Sequence, residues 1–275
     1  MPGRKPVKQH TTVKISKHLP PWRGGNLRIT GQADHTLMYH RKEKLKMDNR
    51  TLVKICGLRR AEDAQAANRI LPDFAGFILS PGFRRSISLE KALELRKILA
   101  PGIRTVGVFL DADPEEIREA ADSGAIDMIQ LHGREDNEYI NTLTSMTSLL
   151  VIKAFRVSSQ KDLDAASASS AHWILLDSGT GTGKTFDWEM LESFLQEHAE
   201  SSGAEADPDT CVRAVKRLFP GNHPWLLAGG LSRENVAAAI RRFCPTAVDV
   251  SSKVETDGWK DPQKMRAFTE TARGL

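Results

Sequence analysis

Cys56, His132 and Asp177 are the side chains of this 275-residue chain whose types and placement suit proton transfer at one point. Each stands at the end of a short apolar run or just past it, at 52–56, 128–131 and 173–176. A thiolate takes a proton from carbon, a carboxyl group with a raised pKa gives one, and an imidazole exchanges one near neutral pH. Blander roles compete on residue type alone. A lone strand cysteine is most often inert packing, and an aspartate after a strand commonly closes a turn. The three together offer S, N and O donors to zinc, but no two come from one local ligand pair, so no metal is expected.

Two turns have the composition of anion cradles. Ala228-Gly229-Gly230-Leu231 closes one apolar run, and Ser251-Ser252-Lys253 follows another. Backbone N–H groups in such turns donate to a phosphate without needing a charged side chain. The run Ser178-Gly179-Thr180-Gly181-Thr182-Gly183-Lys184-Thr185 imitates a nucleotide loop, yet the glycine required five places before Gly183 is Ser178. It reads as an active-site loop.

The elements that must hold these groups recur from residue 51 onward. Apolar, often β-branched runs lie at 52–56, 75–79, 105–110, 128–131, 149–155, 173–176, 225–228 and 247–250. Helical spacing fills the intervals. Ser88 caps one helix, Asp113-Pro114-Glu115-Glu116 opens another that Gly124 ends, and Ser232 and Asp261-Pro262 open the last two. Eight strand-then-helix repeats predict one α/β domain, a closed (β/α)8 TIM barrel; a doubly wound sheet usually has fewer strands. Barrel chemistry sits at the C-terminal strand ends. Strand alternation sends Lys54, Cys56, Gln130, Lys153 and Asp249 inward, and neighbouring first and eighth strands would pair Lys54 with Asp249.

Charge divides the chain. Residues 1–50 hold 12 Lys/Arg against 3 Asp/Glu, whereas the other 225 hold 27 against 32. Residues 1–46 therefore read as a disordered basic leader or a start placed too early, and 47–275 as the barrel, with a surface insertion at 196–222. Three scattered cysteines make no disulfide framework, so a reducing, cytoplasmic setting is expected. No run reaches the roughly 18 apolar residues of a membrane span. Nucleic-acid binding would rest on the leader alone.

Six motifs stand in order: Lys54-Ile55-Cys56-Gly57-Leu58, Gln130-Leu131-His132-Gly133, Leu175-Leu176-Asp177, Gly183-Lys184-Thr185-Phe186-Asp187-Trp188, Ala228-Gly229-Gly230-Leu231 and Asp249-Val250-Ser251-Ser252. Together they resemble the phosphoribosylanthranilate isomerase family of tryptophan biosynthesis, from Leu52 to about Ala272. The resemblance implies a cofactor-free Amadori rearrangement of a small phosphorylated aminoaldose. It makes Cys56 the base at ribose C2′ and Asp177 the acid at the furanose oxygen. It gives Arg85 the anthranilate carboxylate, and Gly229, Gly230, Ser251 and Ser252 the phosphate. His132 is a further expected ligand contact, against a reading in which it only bonds within the rim. The segment Ser80–Ser86 departs from the family's Lys-Ser-Pro-Arg pattern, so Arg84 competes with Arg85, and Lys253 stands where the family usually has glycine. A related sugar-phosphate isomerase or epimerase would keep the phosphate turns and replace the Cys/Asp pair. Monomer and homodimer both remain open.

Overall fold

Short β-branched runs bounded by Asp, Gly and Pro turns cannot extend into helices, and each buries both faces, as parallel strands require. In a computed structural model, which describes residues 50–177, 188–200 and 223–274, these runs form eight strands. They are β1 (Leu52–Cys56), β2 (Phe74–Ile78), β3 (Arg104–Phe109), β4 (Met128–Leu131), β5 (Leu150–Arg156), β6 (Trp173–Asp177), β7 (Trp225–Leu227) and β8 (Ala247–Val250). All pair in parallel in sequence order, and β8 returns to β1 to close the barrel. The expected (β/α)8 fold is what forms, with no strand end shifted by more than one residue.

Between and after the strands lie α1 (Ala61–Ile70), α2 (Leu89–Ile98), α3 (Pro114–Asp122), α4 (Asn137–Met146), α5 (Gln160–Ser167), α6 (Trp188–Glu200), α7 (Val236–Phe243) and α8 (Pro262–Arg273). The caps follow their chemistry. Ser88 accepts from the Lys91 amide, Asp113 from Glu115, and Asp261 from Gln263 and Lys264. Gly124 takes the left-handed backbone, φ 76°, just past α3. Ser232 is a correction. It opens a turn, and α7 begins only at Val236, because the Asn235 side chain accepts from the Ser232 amide and holds that turn apart.

Two sequence expectations lie outside the described residues: the leader at 1–46 and the Gly-rich run at 178–185. Of the insertion placed at 196–222, residues 196–200 complete α6 and the rest lie outside the described residues. Of the cysteines, Cys56 is free, whereas Cys244, in the left-handed C-cap of α7, is disulfide-bonded, a single bond that the scattered spacing gave no sign of.

Side-chain alternation builds two layers. Val53, Ile55, Phe77, Ile129, Leu131 and Ile174 join the apolar cluster beneath the helices. Their neighbours Lys54, Gln130, Lys153 and Leu175 are equally buried but face the lumen. Lys54 sits in register with Asp249 and reaches it at 3.1 Å, the pair the alternation predicts. After β8, a 3₁₀ turn (Ser252–Val254) leads into a small antiparallel hairpin, β9 (Glu255–Thr256) and β10 (Trp259–Lys260). Arg59 and Arg60 clasp the hairpin's Trp259, with guanidinium carbons 4.1 and 4.3 Å from its ring.

Candidate active site

The parallel strands all end on one rim, and Cys56 is the last residue of β1 there. The chain turns sharply after it: the amides of Gly57 and Leu58 both donate to the Gly76 carbonyl on β2, at 2.9 and 3.1 Å. Gly57 has φ 84°, which an L side chain would strain. Gly76 supplies room, because a Cβ there would lie 2.8 Å from the Cys56 Sγ. Burial pushes the Cys56 thiol above its ordinary pKa, while the Lys54 and Lys260 ammoniums pull the other way and Asp249 adds to the rise. Burial also pulls Lys54 down, but Asp249 and Cys56 outweigh it and leave Lys54 above its usual value. The Lys54 and Lys260 ammoniums lie near enough to favour the thiolate against burial.

Asp177 ends β6, and His132 follows β4 with Nε2 3.4 Å from Asp177 Oδ2. Gln130, one turn of the strand pleat behind, places its side-chain Nε2 2.9 Å from His132 Nδ1. In the tautomer that accepts the Gln130 N–H at Nδ1, the imidazole presents an Nε2 proton toward Asp177. The loop after β4 is pinned from within the barrel. Lys153 Nζ donates to the Gly133 carbonyl at 2.7 Å and to Glu135 at 2.9 Å. Lys153 faces inward as alternation predicts; its partner Glu135 was not foreseen.

Arg85 lies across the turn after β1, since a Cβ on Gly57 would fall 2.7 Å from its Cδ. Its side chain is 21% exposed, whereas that of Arg84 is 52% exposed and bonds the Gly258 carbonyl of the hairpin. Both arginines meet Glu255. Burial alone would raise the Glu255 pKa, but Arg85, Arg84 and Lys260 lower it to about 2. Its folded value lies below the unfolded one, so its contribution is complete above about pH 4.5 and lost as pH falls toward about 2. A shift of this size corresponds to roughly 2–3 kcal/mol once the exposure of Arg84 is discounted. Urea denaturation should therefore find Glu255→Gln less stable than the parent at pH 7. The gap should close between about pH 5 and pH 2, and a pH-independent gap would contradict the pairing.

The two expected anion turns come from neighbouring strands. Gly229 and Gly230 have φ of 84° and 68°, a succession that side chains would resist. Their amides, and that of Ser252, donate to no acceptor among the described residues. The Ser251 hydroxyl donates to the Cys56 carbonyl at 3.0 Å, tying the β8 turn to the end of β1. Lys253 is exposed and does not take a positive φ, so replacing a glycine there leaves the backbone unstrained. Among the described residues, no three His, Cys, Asp or Glu side chains are placed to hold a metal ion, and no helix is long and apolar enough to cross a membrane.

The family model for N-(5′phosphoribosyl)anthranilate (PRA) isomerase matches residues 53–271. The chain belongs to the phosphoribosylanthranilate isomerase family. The isomerase of Thermoanaerobacter sp. (strain X514) is 39% identical over 228 residues, covering 81% of this chain and 98% of that protein. The phosphoribosylanthranilate isomerase crystal structure from Thermotoga maritima superposes with a TM-score of 0.67 at 34% identity, covering 82% of this chain and all of that one. Another isomerase structure, in complex with reduced 1-(o-carboxyphenylamino)-1-deoxyribulose 5-phosphate, gives 0.65 at 33% identity with the same coverage. This phosphoribosylanthranilate isomerase family member thus has the enzyme's barrel. Sequence reasoning missed Glu255 and Lys260, whose two-residue strands leave no periodic signal.

Proposed function

We propose that the protein converts N-(5′-phosphoribosyl)anthranilate to 1-(2-carboxyphenylamino)-1-deoxyribulose 5-phosphate, with Asp177 as acid, Cys56 as base and residues 47–275 as the catalytic domain. The surroundings of Cys56 carry this reading. Arg85 crosses the Gly57 turn, and the Ser251 hydroxyl beside it donates to the Cys56 carbonyl. The base therefore stands next to both a cation suited to a carboxylate and a turn suited to a phosphate.

Each step follows from these positions. Asp177 passes its proton to the furanose oxygen while the aryl nitrogen's lone pair forms C1′=N and the C1′–O bond breaks. The Cys56 thiolate then takes the C2′ proton, and that electron pair forms C1′=C2′ as the iminium electrons return to nitrogen. Ketonisation moves the enol proton from the C2′ oxygen to C1′, so substrate and product are isomers. Cys56 ends one proton richer and Asp177 one poorer, and exchange between them resets both. His132 keeps its Nε2 proton toward Asp177 and orients that acid beside the ligand. Gly229, Gly230, Ser251 and Ser252 receive the phosphate, and Lys253 adds positive charge at its edge.

Arg85 is the anchor for the anthranilate carboxylate, and its removal tests the arrangement. Arg85→Ala should raise KM about 10- to 100-fold with kcat within a few-fold, because a charge-assisted bond of this kind acts in ground and transition states alike. Steady-state assays of Arg85→Ala and Arg84→Ala decide it. A larger defect in Arg84→Ala would move the anchor to that residue.

A further inference from the structure

Glu255 lies outside the acid–base pair, yet three cationic side chains converge on it, and its side chain is 6% exposed. Arg85 Nε donates to Oε1 at 2.6 Å and Arg85 Nη2 to Oε2 at 3.0 Å. Arg84 Nη2 adds a bond to Oε2 at 2.7 Å, and Lys260 Nζ one to Oε1 at 2.9 Å. Lys260, itself buried, also donates to the Ser251 carbonyl at 2.8 Å. One carboxylate therefore connects the loop after β2 with the phosphate turn after β8.

A guanidinium carries five N–H groups in a rigid plane and offers two two-pronged edges. Glu255 takes the side edge, made by Nε and one Nη2 hydrogen. The end edge, made by Nη1 and the other Nη2 hydrogen, then remains as the two-pronged face for a carboxylate. We infer that Glu255 is a positioning residue for substrate recognition: it locks the side edge of Arg85 and leaves the end edge to the ligand carboxylate. This rests on the assignment of Arg85 as that carboxylate's anchor. Lys260 holds Oε1 from a third direction, so Glu255 cannot swing away with Arg85.

The test compares Kd values, by calorimetry, for reduced 1-(o-carboxyphenylamino)-1-deoxyribulose 5-phosphate and its phenylamino counterpart lacking the carboxylate. The parent enzyme should prefer the carboxylated compound by about 10- to 100-fold, the range of a two-pronged charge-assisted bond. Glu255→Ala should cut that preference to within about threefold while binding the phenylamino compound as the parent does. Equal weakening toward both compounds would mean a merely structural role and overturn the inference. If Glu255→Ala does not fold, Glu255→Gln keeps the shape with one accepting oxygen and should lose at least half the preference on a logarithmic scale; an unchanged preference overturns the inference. Arg85→Ala separates the two readings. If it retains the preference, the anchor assignment fails and takes the inference with it. If it abolishes the preference while Glu255→Ala does not, only the role of Glu255 fails.

Discussion

Cys56→Ser should fold normally and lose at least about 10²-fold in kcat with a smaller change in KM, the pattern of a group that acts in the transition state. Serine fits where the thiol fits, but its hydroxyl stays protonated throughout the neutral range, so it takes no proton from C2′. Cys56→Ala should behave alike, whereas an inert core cysteine would tolerate both. The pH profile of kcat/KM gives an independent reading. Because burial holds the free thiol above its ordinary range, activity should climb with pH into the alkaline region, and that limb should vanish in Cys56→Ser. Near-wild-type turnover in the serine variant would remove Cys56 from the mechanism.

Asp177→Asn should also cost at least about 10²-fold in kcat, through a different step. The amide keeps the shape and loses the transferable proton, so ring opening fails before the base is needed. Deuterium at C2′ distinguishes the two defects. A primary isotope effect should persist in Cys56→Ser, where C–H cleavage limits the rate, and shrink toward unity in Asp177→Asn, where ring opening does. A full isotope effect in Asp177→Asn would place its defect elsewhere. Loss of the limb that falls with rising pH is the companion result for Asp177→Asn, and loss of His132 should weaken the acid less than loss of Asp177 itself.

The barrel was readable because its signal is repeated eight times and each strand needs only a short apolar run. Strand parity was readable for the same reason, which is why the Lys54–Asp249 pair could be anticipated across 195 residues. Cys56 and Asp177 were readable as strand-end residues, but their chemistry came from motif resemblance, since a buried cysteine and a turn aspartate look alike in any fold. Glu255 was not readable. It sits in a polar stretch of turn-forming residues, and its partners Arg84 and Arg85 lie about 170 positions away. Only barrel closure and the hairpin of β9 and β10 bring them together. The start of α7 was misplaced because Ser232 has the right chemistry for a cap, while Asn235 competes for its amide. The disulfide at Cys244 left no trace in cysteine spacing.

Gly76 gives the site a constraint on its history and redesign. It faces Cys56 across the strand pair, and any side chain there would begin 2.8 Å from the sulfur and 3.0 Å from the cysteine's own Cα. Positions 56 and 76 therefore form a single unit of variation. A gene library that diversifies residue 56 alone explores different bases in a pocket whose floor is fixed by a missing methyl group. One that lets residue 76 gain bulk first closes the pocket to every base, cysteine included. Lineages that change the proton acceptor must keep the neighbouring strand bare or move that strand.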